Sequence, residues 1–113
     1  MVIIDQISVS ELMVMAEKMW EPLVKGVVDI KKGILVLDAG LHSDEELFLL
    51  DAGSEQRDLW GINLWPDNYG EGAFLEFDSL TNIRPRQNNR SRYVEDEAIR
   101  EIIWKIVGEK VVE

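Results

Sequence analysis

Residues 27–37 read VVDIKKGILVL and contain two apolar runs separated by a short polar loop. The runs Val27–Ile30 and Ile34–Leu37 are rich in β-branched residues and leucine, and the loop between them ends in Gly33. This arrangement is typical of a β-hairpin. Because both runs are almost wholly apolar, we expect at least one of the two strands to lie in the centre of a sheet.

Three further strands are predicted downstream of the hairpin, over Leu59–Trp65, Phe74–Asp78 and Thr81–Arg84. In the second of them, apolar and acidic residues alternate, as in a strand with one buried face. Only two residues separate the second strand from the third, so these two should be antiparallel neighbours. We therefore expect an antiparallel meander of about five strands.

Apolar residues at helical spacing predict three helices: one N-terminal, one between the second and third strands, and one C-terminal. A serine followed three residues later by glutamate, the capping-box pattern, marks the first two starts at Ser8 and Ser43. Pro22 and Gly53 end these helices. Asp96 is a good N-cap for the third, which runs to residue 107. The sequence thus predicts one α+β domain over residues 1–113, with helices covering one face of the sheet.

The composition excludes several classes of site. The chain has no cysteine, so disulfides, thiolate metal sites and thiol nucleophiles are excluded. No apolar run approaches the roughly 20 residues of a membrane-spanning helix, and no secretory signal is visible. We expect a cytoplasmic protein with no membrane partner, and the sequence predicts no cofactor.

Charge is distributed unevenly along the chain. There are 22 acidic and 12 basic residues, a net charge of −10, which disfavours nucleic acid as a partner. Residues 84–92, here named the arginine loop, nevertheless contain four arginines and no acid. This local excess of positive charge makes the loop the strongest candidate for a binding function.

Guanidinium groups bind phosphate and carboxylate groups bidentately, so the arginine loop predicts a site for an anionic small molecule or an acidic protein surface. The candidate binding residues are Arg84, Arg86, Asn89, Arg90, Ser91 and Arg92. The alternative is that these arginines neutralise the protein's own carboxylates, such as Glu76 and Asp78. With so many acids in the chain, charge balance favours this alternative for the arginines as a group.

A second candidate surrounds the only histidine. His42 directly precedes Ser43 and Asp44, and with Asp29 these side chains are weak candidates for a metal site or an acid–base pair. The competing interpretation is helix capping together with acids that complement the helix dipole, and it accounts for residues 43–46 without a ligand. In that interpretation His42 lies just outside the helix.

Four tryptophans form a third candidate, and most of them are expected to pack in or beside the core. Trp65 and Trp104 are the two whose exposure would indicate a protein interface, including one between copies of the chain.

Several short stretches resemble a known family. They are Val-Val-Asp-Ile at 27–30, Leu-His-Ser-Asp-Glu at 41–45, Gly-Ser at 53–54, Asp-Leu-Trp-Gly-Ile-Asn at 58–63, Asn-Ile-Arg-Pro at 82–85 and Asn-Arg-Ser at 89–91. Over most of its length the chain resembles a small prokaryotic family of single-domain proteins of unknown function. That family has no established activity, so the resemblance implies a stand-alone domain and assigns no functional residue.

These observations favour a non-enzymatic binding module that uses the arginine loop. Two alternatives remain open. One is a small enzyme that acts on a phosphorylated substrate, or a metal-dependent hydrolase, using His42 and Asp44. The other is a homo-oligomeric interaction protein with tryptophan anchors.

Overall fold

The computed structural model describes residues 1–113, which form seven strands and three helices joined by turns and short 3-10 helices. In chain order the elements are β1 (Val2–Ile3), β2 (Ile7–Ser8), α1 (Val9–Ala16), β3 (Val24–Asp29), β4 (Ile34–Leu37), α2 (His42–Asp51), β5 (Leu59–Leu64), β6 (Leu75–Glu76), α3 (Glu97–Lys110) and β7 (Val111–Val112). The predicted α+β class with three helices is confirmed.

The predicted hairpin forms the middle of a five-stranded antiparallel sheet. The strand order is β1-β4-β3-β5-β6, and a separate parallel pair joins β2 to β7. β3 and β4 pair with Val27 opposite Val36. The chain then passes through α2, and β5 pairs with the other edge of β3. The sheet is therefore not a simple meander, because β5 does not lie beside β4, the strand that precedes it.

The predicted strand Thr81–Arg84 is wrong, and β1 provides the fifth strand instead. Residues 80–82 form a 3-10 turn, and the side-chain amide of Asn82 pairs with the backbone of Gly61. The Asn82 Oδ1 accepts the Gly61 N–H at 2.8 Å, and its Nδ2 donates to the Gly61 carbonyl at 2.9 Å. Glycine at position 61 also lets the start of this turn lie close to β5, since a Cβ there would lie 2.6 Å from the Ser79 Cβ. One side chain thus replaces a strand at this edge of β5.

Helices cover both faces of the sheet, which corrects the expectation that they cover only one. α1 and α3 pack against one face, where Trp60 and Ile62 belong to the main core. α2 packs on the opposite face, where Leu49 contacts Val27 and Val36. Strands buried on both faces need apolar residues at nearly every position, which explains the continuous apolar runs of the hairpin.

The start of α2 also differs from the prediction. α1 has the predicted Ser8–Glu11 capping box, and the Asp96 side chain caps α3. α2, however, begins at His42 with Leu41 at the N-cap position, and no side chain caps it. His42 therefore lies inside the helix, on the face that packs against the sheet. None of the three helices combines the length and hydropathy that crossing a membrane requires.

Candidate functional site

A cleft of about 720 Å³ lies between the start of α2 and the segment that follows β6. We name it the α2 cleft. Its wall is formed by residues 40–43 at the start of α2, by residues 78–81, and by residues 19–21 after α1. Its other lining residues are Leu23, Lys25, Asn63, Trp65, Glu76 and Arg92. The lining combines charged, amide and aromatic groups, as small-molecule sites commonly do.

The register of the sheet brings three polar residues together on the floor of the α2 cleft. Lys25 on β3 pairs with Asn63 on β5, and Asn63 pairs with Glu76 on β6. The three side chains therefore form a row on one face of the sheet, which we name the polar row. Neighbouring strands are about 4.8 Å apart, so the backbones of Lys25 and Glu76 are separated by roughly 10 Å.

The polar row contains an acceptor atom without a donor. Asn63 Nδ2 donates to Glu76 Oε1 at 2.9 Å and to the Asp78 carbonyl at 3.2 Å. Trp65 Nε1 also donates to Glu76 Oε1, at 3.3 Å. The Asn63 Oδ1 has no partner, although the residue is only 5% exposed. Buried acceptors are normally hydrogen-bonded, so this atom marks a place where a donor is missing.

His42 forms part of the cleft wall as a neutral ring. Its Nε2 lies 2.8 Å from the carbonyl oxygen of Ile62, and because a carbonyl only accepts, Nε2 must carry the proton. Burial lowers the pKa of His42, and the nearby positive charge of Lys25 lowers it as well. The contacts of the ring with the Ile62 carbonyl and the Asn63 side chain raise the pKa and offset the effect of burial only in part. The histidine is therefore held by the sheet and carries no charge at neutral pH.

The start of α2 presents free backbone donors at the cleft wall. No protein group accepts the N–H groups of His42 and Ser43, and no side chain caps the helix. Both residues line the cleft. Uncapped N–H groups and the positive end of a helix dipole together attract anions. Two cations, Lys25 and Arg92, line the same cleft.

Of the candidate residues in the arginine loop, Arg84 is fully engaged within the protein. Its guanidinium donates to the carbonyls of Gln56, Leu59 and Thr81. Its Cζ lies 4.3 Å from the centre of the Trp60 ring, a cation–π contact. Burial lowers the pKa of Arg84, but a guanidinium keeps its charge at any pH at which the protein is folded. Arg84 therefore anchors the loop to the start of β5.

Asn89 and Ser91 hold the loop's own shape. The buried Asn89 donates to the carbonyls of Asn82 and Tyr93, both at 2.7 Å, and accepts the Glu95 N–H at 2.8 Å. The Ser91 hydroxyl donates to the Glu95 carboxylate, which also accepts the N–H groups of Arg90 and Ser91. The bond from the Arg90 N–H is the main cause that lowers the pKa of Glu95. These contacts order the loop and involve no ligand.

The other three arginines differ in position. Arg92 lines the α2 cleft, and its Nε forms an ion pair with Asp78 Oδ1 at 2.6 Å. Arg86 and Arg90 are exposed, and neither side chain forms an ion pair. The six predicted binding residues therefore do not converge, and Arg92 alone among them borders the cleft.

The metal candidates are also separated. Asp29 is buried at the hairpin turn, where its carboxylate accepts the N–H groups of Lys31 and Lys32 and the Ser54 hydroxyl. It lies four residues along β3 from the polar row, and Asp44 is exposed on the first turn of α2. No three histidine, aspartate or glutamate side chains are grouped as metal ligands would be.

Comparison with known proteins places the chain in a family. A family model described as "protein of unknown function" matches residues 1–110. The chain belongs to DUF5674. The resemblance to a family of unknown function is thereby confirmed, and the DUF5674 match includes every residue of the α2 cleft and the arginine loop. No curated protein and no solved structure matches the chain.

Sequence reasoning missed the polar row of this DUF5674 chain. Asn63 interrupts an otherwise apolar strand, and this was the one local signal for a site. Lys25 and Glu76 flank Asn63 because of the pairing between strands of the sheet, and the sequence pattern does not predict that pairing. Sequence reasoning also missed the exposed apolar side chains at the rim of the α2 cleft. Trp20 is fully exposed, and Leu41 and Leu80 are each more than half exposed.

Proposed function

We propose that the protein is a non-catalytic binding module whose α2 cleft receives the anionic group of a ligand. The observation that carries this proposal is the uncapped start of α2 at the cleft wall, where the His42 and Ser43 N–H groups have no acceptor. A carboxylate or phosphate oxygen supplies the acceptors that these two donors lack.

Two cations support the same assignment. Lys25 forms neither a hydrogen bond nor an ion pair through its ammonium group. Arg92 uses its Nε on Asp78, which leaves the terminal nitrogens of its guanidinium available. In a chain with a net charge of −10, two cations that line the same cleft as an uncapped helix start favour an anion there over the rest of the surface.

The rim of the cleft favours a ligand that also has an apolar part. Trp20, Leu41 and Leu80 are exposed large apolar side chains, and all three line the cleft. Apolar surface on a ligand would cover them and gain roughly 25 cal/mol per Å² removed from water. We therefore expect a small organic anion to bind more tightly than an inorganic one.

N-acetyl-leucine is a suitable first probe, because it combines one carboxylate with one apolar side chain. We expect it to quench the fluorescence of cleft tryptophans in a saturable, salt-sensitive manner, and its carboxamide analogue to bind at least tenfold more weakly. Lys25→Gln and Arg92→Gln should each weaken binding about 5- to 10-fold, since each removes one charge-assisted contact. Arg86→Gln and Arg90→Gln are matched controls outside the cleft and should change little.

Equal binding of the acid and the carboxamide would contradict the proposal. A loss of binding in the Arg86 and Arg90 variants alone would also contradict the proposal.

That second result would instead favour another candidate function, docking of an acidic partner on the exposed side of the arginine loop. The specific observation behind that alternative is that both of these arginines are exposed and unpaired.

A further inference from the structure

Building on the proposed function, we infer that the ligand of the α2 cleft is a zwitterion with the length of a short peptide. Its carboxylate lies at the start of α2 near Lys25, and its ammonium group lies against Glu76 at the other end of the polar row. The inference rests on the charges along the polar row, on two acceptors that lack donors, and on the distance between the ends.

The polar row has opposite charges at its two ends. Lys25 and Glu76 each pair directly with Asn63, and they lie on the two strands that flank β5. They form no ion pair with each other or with any other residue. A ligand with a single charge would satisfy only one of these groups. A ligand with a charge of each sign satisfies both.

The acidic end of the row also lacks donors. Glu76 Oε1 accepts from Asn63 and Trp65, but Glu76 Oε2 has no hydrogen-bond partner. The neighbouring Asn63 Oδ1 is buried and unpartnered. An ammonium group has three donors and can serve both atoms. This end of the cleft therefore fits a cationic donor, just as the start of α2 fits an acceptor.

The charge balance of the whole cleft leads to the same ligand class. Lys25 and Arg92 are its cations, and Glu21, Glu76 and Asp78 are its acids. With three acids and two cations, the cleft has a small excess of negative charge, so an ammonium group on the ligand adds an attraction to the one that its carboxylate finds at the α2 end. A zwitterion gains both attractions because its ammonium group faces the excess acid.

The separation of the two ends indicates the length of the ligand. The backbones of Lys25 and Glu76 are about 10 Å apart, twice the spacing of neighbouring strands. An extended chain spans about 3.3 to 3.6 Å per residue, so a tripeptide covers this distance and a free amino acid does not. The exposed Trp20 and Leu80 on the rim would cover an apolar side chain at the middle position.

The test compares four peptides: Ala-Leu-Ala with free ends, its N-acetylated form, its C-amidated form, and the form blocked at both ends. Free leucine serves as a short zwitterion. We expect N-acetylation to weaken binding at least tenfold, amidation to do the same, and leucine to bind at least tenfold more weakly than the tripeptide. Titration calorimetry or tryptophan fluorescence measures each affinity.

Two variants assign the charged ends. In Glu76→Gln, N-acetylation should cost less than threefold while amidation still costs tenfold, and in Lys25→Gln the pattern should reverse. Glutamine at position 76 keeps an acceptor for Asn63 and Trp65. Glu101→Gln, on the exposed side of α3, is the charge-matched control and should behave like the wild type.

The failures of the two proposals can be told apart. If the N-acetylated peptide binds as tightly as the free one, the ligand is an anion and not a zwitterion, while the proposed function stands. If leucine equals the tripeptide, the assigned length is wrong. If neither the peptides nor N-acetyl-leucine binds, the proposed function fails too. Should Glu76→Gln not fold, the peptide series on the wild-type protein still decides the matter.

Discussion

Replacing Glu45 by glutamine should stabilise the protein at neutral pH. Glu45 lies on the buried face of α2 with 0% of its surface exposed, and neither carboxyl oxygen has a hydrogen-bond partner. Burial raises the pKa of Glu45 from 4.5 to about 9, and the nearby Ala39 backbone N–H opposes this rise only in part. Lys25, Asp38 and the N-terminal amino group are the charged groups that face it, and their effects are smaller than that of burial. The side chain is therefore protonated in the folded protein at pH 7.

The magnitude follows from proton linkage. The pKa of Glu45 is higher in the folded protein than in the unfolded chain. Below about pH 4.5 the carboxyl is protonated in both states, so its ionisation does not affect stability there. Above that pH, unfolding releases a proton, and the free energy of unfolding falls by about 1.4 kcal/mol per pH unit until pH approaches about 9. At pH 7 the loss amounts to roughly 3 kcal/mol. Glutamine has nearly the same shape as glutamate and no proton to release. Glu45→Gln should therefore restore the free energy of unfolding that the wild type loses at pH 7.

Urea denaturation of wild type and Glu45→Gln at pH 4.5, 6, 7 and 8 measures this difference. We expect similar stability at pH 4.5 and a gap that widens to about 3 kcal/mol at pH 7. Glu101→Gln, which is exposed on α3, should leave the pH dependence of stability unchanged. A variant that is less stable than wild type at every pH would refute the reasoning, because it would mean that Glu45 is ionised and paired.

Two further substitutions test the internal roles given to the arginine loop. Arg84→Lys loses the guanidinium hydrogen bonds to three carbonyls and the contact with Trp60, so it should lower the free energy of unfolding by about 2 to 3 kcal/mol. A variant that melts at the wild-type temperature would argue against an anchoring role for Arg84. Asn89→Ala removes the hydrogen bonds to Asn82, Tyr93 and Glu95, so it should lower the free energy of unfolding by about 2 kcal/mol and speed hydrogen exchange at the Glu95 N–H. Unchanged exchange at that N–H would show that another group orders the loop.

Local patterns predicted most of the elements of this fold. The hairpin of β3 and β4, the capping box at Ser8 and the N-cap at Asp96 depend on neighbours in the sequence, and all three appear as expected. The errors concern contacts between distant residues. The predicted strand over residues 81–84 gave way to a turn because Asn82 pairs with Gly61 across the fold. β1 was missed because a two-residue edge strand has no periodic pattern to recognise.

The candidate site was harder to predict than the fold, for the same physical reason. Composition drew attention to the arginine loop, but it could not show that Arg84 faces backbone carbonyls or that Arg92 pairs with Asp78. The polar row depends on the register of three strands, and Lys25 and Glu76 are 51 positions apart in the chain. A polar residue such as Asn63 within an apolar strand is a signal worth following in other sequences.

Backbone amide resonances of the ¹⁵N-labelled protein report on the α2 cleft without any substitution. During titration with N-acetyl-leucine, we expect the His42 and Ser43 N–H resonances to move downfield and saturate together, because each N–H acquires the acceptor that it lacks. The resonances of Arg86 and Arg90 should stay in place. Shifts confined to the arginine loop, with His42 and Ser43 unmoved at saturating probe, would contradict the assignment of the anion to the start of α2.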